Sequence, residues 1–116
     1  SEVTPETKAK MFKARSEDAV LTRCLTGKSA RGLRSLFTDA WEQPGAPEPL
    51  PPPLQALLWW GQCRTRVERV RATEWLTYPV GQIVGDMKEE TSVRQVVSDM
   101  LNEMVESKER LDRLLG

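Results

Sequence analysis

The sequence predicts a mostly α-helical chain of four to five helices with one short strand. Three features carry this reading. Thr4-Pro5-Glu6 is a helix start: a capping hydroxyl, a proline at the first helical position, then an acid at the positive end of the helix dipole. Leu33, Leu36, Phe37 and Ala40 recur at i, i+3, i+4 and i+7, the spacing of one helix face. A longer stripe of the same kind follows a capping box at Ser92-Val93-Arg94-Gln95 and continues to Leu115.

The first helix should run to about Ala14 and bury Met11 with Phe12 or Ala9, before the polar Ser16-Glu17-Asp18 breaks it. Ala19-Val20-Leu21-Thr22-Arg23-Cys24-Leu25 is short and rich in branched side chains, and is the strand candidate. Gly27-Lys28-Ser29 invites a phosphate-loop reading, but that loop needs another glycine five residues earlier, where Thr22 stands. The stretch therefore reads as a turn that caps the next helix through Ser29, and that helix ends around Trp41.

Six of the eight prolines fall within residues 44–53, which excludes helix and inner strand and favours extended polyproline geometry. Without flanking basic residues this is a semi-rigid connector rather than an SH3-type ligand. Leu54 starts the next helix, which carries Leu57, Leu58, Trp59 and Trp60 and then turns basic at Arg64, Arg66, Arg69 and Arg71. Glu68 and Glu74 make that face a solvated one with local ion pairs rather than a nucleic-acid stripe. Trp75 and Leu76 close the unit.

Tyr78-Pro79-Val80-Gly81-Gln82 comes next. Pro79 lacks a backbone N–H and biases Tyr78 away from helical geometry, and Gly81 permits a positive φ or a close approach. Gln82 adds an amide that both donates and accepts. A phenol, a bare backbone and an amide so close together suit a ligand edge and suit a helix–helix junction equally. The last helix carries Val93, Val96, Val97, Met100, Leu101, Met104, Val105, Leu111, Leu114 and Leu115 on one side, with Glu106–Arg110 and Glu109–Arg113 pairs expected. The stripe is wider than a strict coiled-coil seam, and calls for a broad surface to pack on.

Seventeen basic and seventeen acidic residues cancel, so no electrostatic partner such as DNA or an anionic membrane is indicated. No apolar run reaches the roughly 20 residues that span a bilayer. Cys24 and Cys63, with no CxxC pair and no histidine, argue against a zinc site; the absence of histidine removes every Ser-His or Cys-His nucleophile, and the two read as reduced thiols of a cytoplasmic protein. Chemistry near this chain must come from another segment or from a cofactor.

Three stretches together resemble the C-terminal third of the nitronate monooxygenase (2-nitropropane dioxygenase-like) flavoproteins. They are Thr4-Pro5-Glu6-Thr7 with Phe12-Lys13; Val20-Leu21-Thr22-Arg23 followed by Thr26-Gly27-Lys28 and Ala30-Arg31-Gly32-Leu33-Arg34; and Tyr78-Pro79-Val80-Gly81-Gln82-Ile83-Val84-Gly85. Their order and spacing agree over nearly the whole chain. Ser35 departs from the asparagine frequent at that place, and the proline run makes the middle longer and stiffer.

The resemblance implies an FMN-dependent oxidoreductase built on a (β/α)8 barrel. Residues 1–77 would form a helical cap over the barrel mouth, with residues 44–53 as connector, and 78–116 the re-entry turn and closing outer helix. Gly81 and Gln82 would contact FMN, and Tyr78 would face a small-molecule substrate. The implied reaction is oxidation of an alkyl nitronate by O2 to a carbonyl compound and nitrite. NAD(P)H:quinone reductase or enoyl reductase activity belongs to the same flavin class. The family's phosphate loops and catalytic histidine have no counterpart here, so the chain is expected to be a fragment, a cleaved product or a piece of a split protein, inactive without the remainder of the flavin barrel. From a different class, it could be a stand-alone helical module that dimerises through Val96, Met100, Met104 and Leu111.

Overall fold

A computed structural model of the chain describes residues 3–116; Ser1 and Glu2, the polar opening of the expected cap segment, lie outside the described residues. Four helices and a small antiparallel sheet form a body from which the last helix projects, so the longest dimension is 59 Å against 28 and 23 Å. No closed barrel is formed by the described residues.

The first helix, α1 (Pro5–Lys13), begins as its cap residue requires, with the Thr7 amide donating to Thr4 Oγ1 at 3.3 Å. Thr7 and Ala14 are its covered positions, Met11 and Phe12 are half-buried, and Ala9 is exposed. A 3-10 turn, Ser16–Asp18, leads into β1 (Ala19–Thr22).

The expectation of one strand is corrected here. A second strand, β2 (Ala30–Leu33), pairs antiparallel with β1, Ala19 opposite Leu33 and Thr22 opposite Ala30. Gly27 turns the chain between them at φ +82, a conformation that favours glycine. Its amide donates to the Arg23 carbonyl at 2.8 Å. The helix expected from Leu33 onward therefore starts later, as α2 (Leu36–Trp41), and its cap is Ser35 rather than Ser29. Ser35 and Thr38 cap each other reciprocally: the Thr38 amide donates to Ser35 Oγ at 3.3 Å and the Ser35 amide to Thr38 Oγ1 at 2.9 Å. Asparagine caps helices as well as serine does, so the departure at Ser35 keeps the local geometry.

A continuous helix, α3, follows the proline run: an α-helical turn Leu54–Ala56, a π-helical stretch Leu57–Cys63 and an α-helical segment Arg64–Arg69. It ends before Trp75. Ala72 N–H bonds Val67 C=O and Arg71 N–H bonds Glu68 C=O, each at 3.1 Å, a Schellman closure with Arg71 at φ 53 where glycine is usual.

Thr77 to Val80 is not a junction between helices. It lies extended along the free edge of β2, with Gly32 opposite Pro79. The Leu33 amide donates to Tyr78 C=O at 2.9 Å, the Val80 amide to Arg31 C=O at 3.3 Å, and Thr77 Oγ1 to Leu33 C=O at 2.7 Å. Proline tolerates this place because an edge strand needs no donor from it.

Two small cores flank this ribbon. Ala14, Ala19, Leu33 and Val84 form one, with Met11 and Val80 against it. Cys24, Leu25 and Trp59 form the other, with Phe37, Trp41, Trp60 and Cys63 around them. Phe37 and Trp59 pack with ring centroids 4.3 Å apart.

The last helix, α4 (Val93–Leu115), is capped as expected by Ser92, which accepts from the Gln95 amide at 3.1 Å. The Gln95 side chain bonds Asp99 instead of returning to the cap. The ion pair formed along α4 is Lys108–Asp112, in place of the two expected Glu–Arg pairs. Its apolar stripe stays largely exposed: exposure of those ten residues runs from 37% at Val96 to 81% at Val93. No helix among the described residues is long and apolar enough to cross a membrane.

Candidate functional site

The Tyr78–Gln82 segment owes its position to β2. Backbone pairing at Gly32 and Leu33 holds Pro79, and Gly32 lets the segment come close, since a Cβ there would stand 2.8 Å from Leu25 Cδ1 and 3.3 Å from Thr77 Oγ1. From this edge the Tyr78 ring meets α3. It stands edge-to-face with Trp60, centroids 5.9 Å apart and planes at 88°. Arg64 lies over both rings, 5.2 Å from the Trp60 centroid and 5.8 Å from that of Tyr78, while its Nε donates to Glu68 Oε1 at 2.8 Å. That ion pair is half-buried, and is the kind of local pairing the basic run implied.

Tyr78, Gly81 and Gln82 follow one another along the chain but have different surroundings. Tyr78 is half-buried; Gly81 and Gln82 are exposed. Gly81 adopts φ −90 and ψ 172, open to any residue, so the positive φ anticipated there is not used. Gln82 heads a 3-10 turn, Gln82–Asp86, and its amide makes no side-chain hydrogen bond among the described residues. The close approach belongs to Gly85, where a Cβ would stand 2.3 Å from Ser16 Oγ and 2.7 Å from Ser16 N. That contact seats the turn against the 3-10 turn before β1 and carries Val84 into the core.

Gly27-Lys28-Ser29 makes no phosphate cradle. A Cβ on Gly27 would stand 2.3 Å from the Leu50 carbonyl oxygen, so the proline connector occupies the space a ligand would need. The connector is tied down further by Gln55, which is fully buried. Its Nε2 donates to Cys24 C=O at 2.6 Å and its Oε1 accepts from the Leu50 amide at 3.0 Å. Sequence reasoning missed Gln55 because a polar residue in the first turn of a helix ordinarily faces water.

Both cysteines are free thiols, Cys24 buried and Cys63 half-buried. Burial pushes the Cys24 thiol above its ordinary range, opposed in part by its contact with the Thr22 hydroxyl. Burial also lowers Lys10, which donates to Leu76 C=O at 2.7 Å and so ties α1 to the chain just before Tyr78. Glu90 is held low by the ammonium of Lys8, the ion pair that joins α1 to the approach of α4.

Fold and site together define a class: a helical body that presents an extended edge and a terminal helix with a largely exposed apolar stripe. In that setting the chain is 39% identical over 121 aligned residues to the protein named "Putative monooxygenase Rv1533" of Mycobacterium tuberculosis. The match takes in 99% of this chain and 32% of that protein, so the chain spans about a third of the relative's length. This is a family-level relationship to a protein named as a monooxygenase. No family model matches the chain, and no solved structure matches it significantly.

Proposed function

We propose that this chain is the cap and closing helix of an FMN-dependent oxidoreductase that oxidises alkyl nitronates with O2 to a carbonyl compound and nitrite. Residues 1–77 form the cap and 78–116 the re-entry turn and closing helix. The uncovered stripe of α4 carries the reading. Ten apolar side chains, at least 37% exposed, line a helix about 35 Å long at 1.5 Å per residue. Such a face needs a wall, and the matched relative is three times the length of the match.

The residues present fit one edge of a flavin. Around Gly81 nothing stands nearer a would-be Cβ than Ile83 Cγ2 at 4.0 Å, which leaves the backbone open to approach. Gln82 keeps both its donor and its acceptor available. Gly81 and Gln82 would hold that edge, with Tyr78 toward the substrate, while the phosphate is left to polypeptide beyond this chain. When bound, the flavin supplies the redox chemistry.

The test joins the chain to the upstream polypeptide of its parent protein and follows flavin absorbance and turnover. Gln82→Ala should weaken flavin binding, and Tyr78→Phe should alter turnover. Unchanged spectra and kinetics in both variants would remove the site.

The same uncovered stripe also favours a second reading, a stand-alone module that pairs through Val96, Met100, Met104 and Leu111. Sedimentation of the 116-residue chain decides between them. A cooperative, concentration-dependent dimer abolished by Met100→Glu supports the module. Association that disappears only when the upstream polypeptide is supplied supports the flavoenzyme.

A further inference from the structure

We infer that Trp60 and Arg64 are positioning residues for the Tyr78 ring, so that α3 sets the substrate-side wall of the proposed site. The inference rests on the reading of Tyr78 given above and adds two residues to it, neither of which the sequence marked for a role.

Two contacts meet on the Tyr78 ring, and a third holds one of them in place. Trp60 presents its edge geometry at 88°, an arrangement aromatic quadrupoles prefer over stacking. Arg64 stands over both rings, so one cation bridges the pair. Glu68, one turn along α3, takes the Nε donor and fixes the plane of the guanidinium. The backbone of Tyr78 is fixed independently through β2, which leaves the side-chain torsions as the freedom the trio removes. Trp60 is in turn braced by Trp59 at 6.4 Å, and Trp59 is fully buried, so the clamp is anchored in the second core.

Geometry rather than charge accounts for the arrangement. Lysine would keep the cation but not the planar fork that Glu68 orients, and phenylalanine at Trp60 would keep a ring of smaller face. Arg64→Lys and Trp60→Phe should therefore be partial losses, and Arg64→Gln and Trp60→Leu full ones.

The experiment uses the full-length flavin-bound protein labelled with 3-fluorotyrosine, in which Tyr78→Phe identifies the Tyr78 resonance by its disappearance. Arg64→Gln and Trp60→Leu should shift or broaden that resonance. They should raise KM by about fivefold with kcat little changed, as expected for loss of one ring or cation contact. Arg64→Lys should recover part of both effects. Should Trp60→Leu fail to fold, Glu68→Gln removes the carboxylate charge that holds the guanidinium and should move the resonance alone. A Tyr78 resonance unmoved by Arg64→Gln and Glu68→Gln in folded protein overturns the inference. A resonance that moves while Tyr78→Phe leaves KM unchanged supports the clamp and instead overturns Tyr78 as a substrate-side residue.

Discussion

Gln55 donates its amide to the backbone carbonyl of Cys24 at 2.6 Å, across 31 residues of sequence and with both residues wholly covered. With its oxygen on the Leu50 amide, this one side chain joins the turn after β1, the proline connector and α3. Gln55→Leu would strand a buried carbonyl in an apolar setting, and each such group costs about 1–3 kcal/mol. Chemical denaturation should show a loss of about 3 kcal/mol. A loss below about 0.5 kcal/mol, the ordinary surface value, would mean the connector is held by other means.

Gly85 and Gly81 sit four residues apart and should respond differently to alanine. At Gly85 the new methyl would meet Ser16 backbone nitrogen at 2.7 Å, so the two turns must move apart. About 2 kcal/mol or more of stability should go with it, read as a lowered thermal midpoint. At Gly81 the nearest atom is 4.0 Å away, and Gly81→Ala should leave the midpoint alone; under the proposed flavin edge it should also weaken flavin binding in the full-length protein. Equal thermal effects at the two positions would contradict the packing described here.

Arg71 closes α3 in the left-handed conformation at φ 53. Glycine takes that conformation without the steric cost a Cβ brings, so Arg71→Gly should stabilise the protein by up to about 1 kcal/mol. Arg71→Val, branched at Cβ, should destabilise it. Thermal unfolding of the two variants side by side gives the sign of each.

Alkaline pH should act through Cys24. Its folded thiol is raised by burial above the ordinary 9.0, so folding favours the protonated form; the associated stability is present below that value and is lost as pH rises through the folded one. Lys10 contributes in the opposite sense, because burial lowers it and the folded state gains relative stability as pH climbs toward 10.5. In a Lys10→Met background the alkaline loss should therefore steepen, and Cys24→Ala should flatten it. Iodoacetamide below pH 9 should modify Cys63 well before Cys24, checked by mass spectrometry of the peptides.

How much could be read from the chain follows the range of the interactions involved. Thr4 and Ser92 announced their helices because a cap bonds an amide three residues away, and that geometry is written within one turn. The stripe of α4 was equally plain, since its period needs no neighbour to define it. That its face would outrun what the rest of this chain covers could be foreseen from its breadth.

The ribbon was decided elsewhere. Ala30-Arg31-Gly32-Leu33 has little strand character, and Leu33 happens to complete a helical spacing with Leu36 and Phe37. It became a strand because Gly27 turned it back onto β1 and Tyr78 and Val80 bonded its other edge. The burial of Gln55, the contact of Gly85 with Ser16 and the gathering of Trp60, Arg64 and Tyr78 have the same origin. Each joins residues too far apart in sequence for any local pattern to register, and exists only once the intervening chain has closed its loops and excluded water from between them.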